Sequence, residues 1–271
     1  MVAQRERVQL VGRVLLHTDL HLVTGLHIGV GEDIGIGKAT EVLRDPLTSE
    51  PYIPGSSLRG KMRSLAERVR GIDRDSANVQ DIDGSKIHSC TSASEYSACN
   101  VCPVFGVPAS EEYAFSLPTR LIVRDARLNE ESVTSLKRVR TALPFAEVKT
   151  EVAIDRITSA AVPRDIARIP AGAVFGDVQF SFAMYEEQDL ERLKVVAHAM
   201  AYLEDDYLGG HGARGYGRVK FENIRLTAKN YRIGVEPNQC PDVFENASDL
   251  NTRWEDEVWP WLVDALPWAG A

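Results

Sequence analysis

Several things are scarce or missing in this chain, and each absence removes a class of function. No stretch approaches the roughly 20 consecutive apolar residues of a bilayer-spanning helix, so no membrane partner is expected. Residues 1–7 show no apolar signal-peptide region before a strand-like pattern begins, which gives a cytoplasmic location as the expectation. There is no excess of basic residues: 31 Lys and Arg stand against 39 Asp and Glu, a net charge of −8, which argues against a generic nucleic-acid binder. The glycine-rich stretch Gly25-Leu-His-Ile-Gly-Val-Gly-Glu-Asp-Ile-Gly-Ile-Gly is followed by no Gly-Lys-Ser/Thr, and no complete dinucleotide fingerprint fits, so neither nucleotide-loop class applies. Tryptophan is absent before Trp254.

The acidity that is present is unevenly placed. Residues 234–271 hold eight acidic residues and one basic, leaving the first 233 near neutral and able to carry a local basic face. The same short segment holds all four tryptophans, Trp254, Trp259, Trp261 and Trp268. This reads as a core of 1–233 and an acidic, Trp-rich tail of 234–271 that docks on a partner.

Val8–Val23 has the apolar pattern of a long strand with a bulge, and 173–185 that of a core strand. Leu58, Met62, Leu65 and Val69 fall at helical spacing after Pro54-Gly55-Ser56-Ser57, with Ser56 or Ser57 as N-cap and Arg59, Lys61 and Arg63 on other faces. A helix opening there offers N–H groups to a phosphate. Residues 190–203 give a second helix, while 131–145 are too mixed to assign. The order fits an α+β fold with a ferredoxin-like core, an antiparallel sheet with helices on one face, carrying large insertions.

Three motifs carry chemistry. His88, Cys90, Cys99 and Cys102, within an insertion of about 71–110, have the donor set of a closed structural zinc site. Residues 147–172 read as a protruding hairpin in which Lys149, Arg156, Arg164 and Arg168 are interleaved with apolar residues able to wedge between bases. Leu208–Phe221 is a glycine-rich loop: Gly209, Gly210, Gly212, Gly215 and Gly217 leave its backbone bare, and His211, Arg214, Tyr216 and Arg218 add charge and a stacking face suited to a sugar-phosphate chain.

Taken together, Gly25-Leu-His-Ile-Gly, Asp45-Pro-Leu-Thr, Ile53-Pro-Gly-Ser-Ser-Leu-Arg-Gly-Lys-Met-Arg, Leu121-Ile-Val-Arg-Asp-Ala, Glu147-Val-Lys-Thr-Glu, Ile154-Asp-Arg-Ile-Thr with Pro163-Arg164, and Asp206-Tyr-Leu-Gly-Gly-His-Gly-Ala-Arg-Gly-Tyr-Gly-Arg-Val resemble one family. It is the RAMP-superfamily backbone subunit of type III CRISPR effector complexes, the Csm-type subunit that repeats along a guide RNA. The resemblance spans about 8–230. It implies an RNA-recognition-motif-like core whose glycine-rich loop and neighbouring helix hold guide RNA, and a thumb at 147–172 that splays the guide–target duplex at regular intervals. Copies of the chain along the guide and other effector subunits are the implied partners.

It further implies cutting of the target RNA by a loop aspartate with Mg or Mn. Here Asp33 is the choice, Glu32 the alternate and His27 an assisting group. Two other readings stand beside it: a scaffold that only binds and spaces guide RNA, and a guide-processing ribonuclease, for which His211 is the available acid–base group.

Overall fold

The computed structural model describes residues 8–29, 41–71, 78–82, 84–108, 115–139, 141 and 143–268. Its centre is strand β1 (Gly12–Leu22), in which Val14, Leu16, Leu20 and Leu22 are buried while Arg13, His17 and His21 look to the opposite face. Period-two alternation of this kind gives a sheet with one apolar face. β1 pairs antiparallel with β9 (Val174–Met184) on one side and β10 (Val219–Asn230) on the other. Beyond β9 lie β5 (Leu121–Val123) and β6 (Ala126–Leu128), and beyond β6 lies β2 (Tyr52–Ile53).

Helix α1 (Gly55–Arg70) follows the first core strand and α5 (Asp189–Asp205) follows the third. Both bury their apolar sides in one cluster with the inner face of the sheet. The core is therefore the expected ferredoxin-like α+β sandwich. Among the described residues no helix is long and apolar enough to cross a membrane.

The expected bulge in β1 is a paired one. Register slips between His17 and Asp19 against β10, and between Thr18 and Leu20 against β9. Asp177 and Asn223 take left-handed φ of 48° and 55° there. The Asp19 carboxylate accepts from Asp177 N at 3.2 Å and from Asn223 Nδ2 at 3.1 Å, tying the two bulges together.

Two expectations change, and an unassigned stretch takes a structure. Helix α1 opens at Gly55 with Pro54 in the N-cap position, so neither Ser56 nor Ser57 caps it. Gly55 N instead donates to Asp125 Oδ1 at 2.8 Å, and a Cβ on Gly55 would stand 2.2 Å from the Val123 carbonyl oxygen. The cap comes from a residue distant in sequence, which local spacing cannot reveal.

The stretch 131–145, left unassigned above, holds most of α4 (Glu130–Arg138). Asn129 accepts from Ser132 N at 2.8 Å, with Glu130 and Glu131 in the first turn and Lys137 and Arg138 in the last, as the helix dipole favours.

Residues 234–268 are not an appended tail. β11 (Pro237–Phe244) extends the sheet beside β10, and α6 (Ala247–Thr252), a π-helical turn (Trp254–Val258) and α7 (Trp259–Ala265) extend the helical layer, α6 packing beside α5 and both helices against β10. Leu250, Trp254, Val258 and Leu262, at four-residue spacing, are buried, while Glu255, Asp256 and Asp264 stay exposed. The composition that suggested a docking segment is that of an amphipathic helix whose apolar side belongs to this chain's own core.

Candidate metal centre and nucleic-acid interface

The insertion after α1 begins with a hairpin, β3 (Val79–Ile82) and β4 (Ser85–His88). It continues through α2 (Ala93–Ala98) to α3 (Cys102–Phe105). β4 delivers His88, Cys99 caps the C-terminus of α2, and Cys102 opens α3. The four side-chain donor atoms of His88, Cys90, Cys99 and Cys102 lie within 4.8 Å of one another. His88 Nε2 stands 3.7 Å from Cys90 Sγ and 3.5 Å from Cys99 Sγ. A tetrahedral zinc with Zn–S of about 2.3 Å and Zn–N of about 2.1 Å separates sulfur from nitrogen by about 3.6 Å, so the donors fit.

The surroundings favour a thiolate at Cys99, while bonding to Cys102 and Cys99 pushes the Cys90 thiol well up. Val101 N and Cys102 N approach Cys99 Sγ at 3.3 Å, Arg70 donates to it at 2.6 Å, and Cys90 N approaches Cys102 Sγ at 3.3 Å. Hydrogen bonding from Cys102 and Cys90 holds the Cys99 thiol well below its usual range, and bonding to Cys102 and then Cys99 pushes His88 up to about 9. This cluster can hold a metal ion, and all four ligand positions are filled by protein.

Two of the arginines expected at RNA fasten this insertion to α1. Arg63 donates from Nε to Glu67 Oε1 at 2.6 Å and from Nη2 to the His88 carbonyl at 2.7 Å. Arg59 donates to the Phe105 carbonyl, and burial lowers its guanidinium below the ordinary value. On the far side, the fully buried Arg120 bonds Tyr96 Oη at 2.8 Å and Asp189 Oδ1 at 2.9 Å, joining α2 to the start of α5. Lys61 is elsewhere: it pairs with Asp206 at 2.9 Å and lies 3.7 Å over the Tyr207 ring, just before the glycine-rich loop. Ser56 is exposed and Ser57 half-buried in the first turn of α1.

The remaining expected residues converge on a second surface. The thumb is a two-stranded hairpin, β7 (Glu147–Ile154) and β8 (Ala161–Arg168). Its tip is an Asx turn in which Asp155 Oδ1 accepts from Ile157 N and Thr158 N, leaving Ile157 94% exposed beside Arg156. Val152, Ile154 and Val162 add to this exposed apolar tip, and Arg164 is exposed on β8.

The glycine-rich loop runs against the thumb base and the segment after β1. Gly217 N donates to the Gly25 carbonyl and Gly210 N to the His27 carbonyl, both at 2.9 Å. Gly209, at φ 75°, has no room for a side chain, since a Cβ would meet His27 O at 2.3 Å. Tyr216 is buried, with Lys149 4.7 Å and Arg168 4.9 Å from its ring centre, and burial pushes its phenol up to about 12. Arg214 reaches out to Glu151 at 3.0 Å, and Arg218 is exposed. His211, in a left-handed conformation, packs between His27 and Tyr216.

Glu147 and Glu151 were given no role above. Strand alternation, which sets residues 147, 149 and 151 on one face, is the signal that finds them.

His27 is the junction of this surface. It is buried and its Nδ1 is 2.6 Å from the Ala167 carbonyl of β8. Leu26 bridges to Ile169, and Gly29 to Val42, so Gly29 and Val42 stand paired close to the thumb base. Asp33 and Glu32 fall between them, outside the described residues.

Comparisons with known proteins agree with this geometry. The RAMP superfamily model matches residues 19–220. The chain is 38% identical over 260 residues to the CRISPR system Cms endoribonuclease Csm3 of Methanothermobacter thermautotrophicus, covering 91% of this chain and 97% of the relative. It is 35% identical over 263 residues to the Csm3 of Methanocaldococcus jannaschii, covering 94% and 97%. Among solved structures, a Csm3–Csm4 subcomplex of a type III-A CRISPR-Cas interference complex contains a chain 30% identical with a TM-score of 0.59, covering 92% of this chain and 97% of that one. Methanopyrus kandleri Csm3 shares the fold at a TM-score of 0.65 and 19% identity, over 96% of this chain. The chain belongs to the RAMP superfamily and, within it, to the Csm3 endoribonucleases of CRISPR systems.

Proposed function

We propose that this chain is the repeating backbone subunit of a type III CRISPR ribonucleoprotein, binding guide RNA and cutting the paired target RNA at regular intervals. The observation that carries the reading is the convergence at His27 of three separate segments: residues 25–29, the thumb base and the glycine-rich loop. A phosphodiester chain lying along the bare backbone at 209–217 would pass the cations of the thumb and the described residues 25–29. Covalent connectivity alone keeps Asp33 within about 14 Å of Gly29.

RNA carries its own nucleophile. A base displaced by the exposed apolar tip around Ile157 would free its nucleotide to rotate, bringing a 2′-hydroxyl in line with the adjacent phosphate. Asp33, or Glu32 in its place, would hold Mg or Mn, hard cations that favour carboxylate oxygen. When bound, such an ion supplies charge neutralisation at the reacting phosphate. His27, buried and bonded to Ala167, positions residues 25–29. At the other centre, the three thiolates and one imidazole suit zinc in a closed structural site. Other effector subunits, as in the Csm3–Csm4 subcomplex, and further copies of this chain are the expected partners.

Asp33→Ala in the assembled complex is expected to abolish target cutting while leaving target binding nearly unchanged, because a metal-holding carboxylate acts mainly in the transition state. Glu32→Ala is measured in parallel. If neither change reduces cutting in the presence of magnesium or manganese, the subunit is a scaffold.

A further inference from the structure

The thumb face that meets the glycine-rich loop carries two carboxylates among its cations. Antiparallel register sets Arg168 opposite Glu147 and Arg164 opposite Glu151. Glu147 pairs with Arg168 at 2.7 Å. Glu151 is drawn inward: its side chain is 16% exposed, while Thr150 and Val152 on either side face solvent. Its two oxygens are shared between cations from different segments, with Oε2 3.0 Å from Arg214 Nη1 and Oε1 3.7 Å from Lys149 Nζ, and the buried Tyr216 hydroxyl also acts on the carboxylate.

Two features suggest that this carboxylate is not chiefly a brace. The thumb base is already tied down by the Ala167–His27 contact, the Leu26–Ile169 bridge and the Arg168–Glu147 pair. Arg214 and Lys149 are 55% and 40% exposed against 16% for Glu151, so water reaches the cationic side of each pair and screens it. What the arrangement does reproduce is the environment of a phosphate: an acceptor with two anionic oxygens, met by a guanidinium and an ammonium.

We propose that Glu151 is an internal phosphate mimic, occupying Arg214 and Lys149 in the free chain until an RNA backbone displaces it. This rests on the RNA-binding reading above and adds a regulation to it. Stray RNA must compete with a tethered carboxylate for the same cations, whereas a guide held by further contacts along the loop displaces it readily. The groove thereby discriminates against weakly held nucleic acid.

The test uses the full-length chain and a fluorescently labelled single-stranded RNA of mixed sequence, with affinity measured across a salt series. Glu151→Gln is expected to bind about threefold more tightly at low salt, within the range of one exposed ion pair. Its plot of log affinity against log salt should steepen by up to about 0.7, one phosphate contact on a single strand. Glu151→Asp, which keeps the charge, should retain the wild-type slope. In an Arg214→Ala background the gain from Glu151→Gln should shrink, because the shared cation is gone.

Weaker binding by Glu151→Gln, an unchanged affinity and slope, or a large fall in melting temperature would each overturn the proposal and make Glu151 a brace. If folded wild type and Glu151→Gln both lack affinity for the RNA at low salt, the RNA-binding reading itself fails. That outcome is distinct from a Glu151 substitution that merely leaves a measurable affinity unmoved.

Discussion

Arg59 and Arg63 on α1, and Arg168 and Arg214 around Tyr216, are the same residue type with different surroundings. The first pair points into protein. Arg63 is spent on the buried carboxylate of Glu67 and on the His88 carbonyl, Arg59 on Phe105, and together they fasten the metal-binding insertion to the helix. Of the second pair, Arg168 is 21% exposed and held by Glu147, while Arg214 stands at a groove edge, 55% exposed and bonded to a carboxylate that another anion can replace. A guanidinium serves as a fastener where its partners are backbone carbonyls and a buried acid. It serves as a ligand site where its partners are exchangeable and water reaches it.

The contrast can be broken at several strengths. The largest effect is expected at the metal centre. Cys99→Ser, or chelation of the wild type, should remove about one zinc per chain and lower the melting temperature by many degrees, because a closed site contributes its binding energy to folding. Metal analysis with a thermal melt checks this, and a chain that retains its melting temperature without metal would contradict it.

Next comes the segment beyond 233. Trp254→Ala is expected to cost about 3–5 kcal/mol in denaturant unfolding, the range for emptying a buried aromatic site. Truncation after 233 should fail to give a stably folded protein. A stable truncated chain would restore the view of this segment as an appendage.

The smallest effect is a pH dependence at His211. Burial first, and neighbouring His27 second, lower its pKa from 6.5. A base with a lowered folded-state value contributes stability that is complete above 6.5 and is lost as pH falls below it. Order in the glycine-rich loop should decline over that acid range, measured by hydrogen exchange at Gly210 and Gly217. His211→Asn, which tolerates the left-handed backbone at this position, should remove the dependence.

Much of this was legible in the sequence wherever the signal is local. The alternation of Val14, Leu16, Leu20 and Leu22 and the spacing of Leu58, Met62 and Leu65 set strand and helix, and the Cys-x-x-Cys pair with His88 and Cys90 marked the metal centre. What stayed hidden depends on partners far along the chain. The cap of α1 is Asp125, and the acceptor for Arg63 is a carbonyl 25 residues away. The tryptophans beyond 233 read as a docking surface because nothing local says that the core they complete is their own. Glu151 was invisible as a competitor because its meaning rests on Arg214, 63 residues downstream.

The central claim is that the groove between thumb and glycine-rich loop, and not the arginine face of α1, meets the RNA backbone. The salt dependence of RNA binding for Arg214→Ala and Arg63→Ala, measured side by side with their melting curves, tests it most directly. The account predicts that Arg214→Ala weakens binding and flattens the slope by about one phosphate contact at an unchanged melting temperature. Arg63→Ala should leave the slope alone and destabilise the fold by about 3 kcal/mol, as expected when a buried carboxylate loses its partner. The reverse pattern, a flattened slope for Arg63→Ala and a lowered melting temperature for Arg214→Ala, would contradict it.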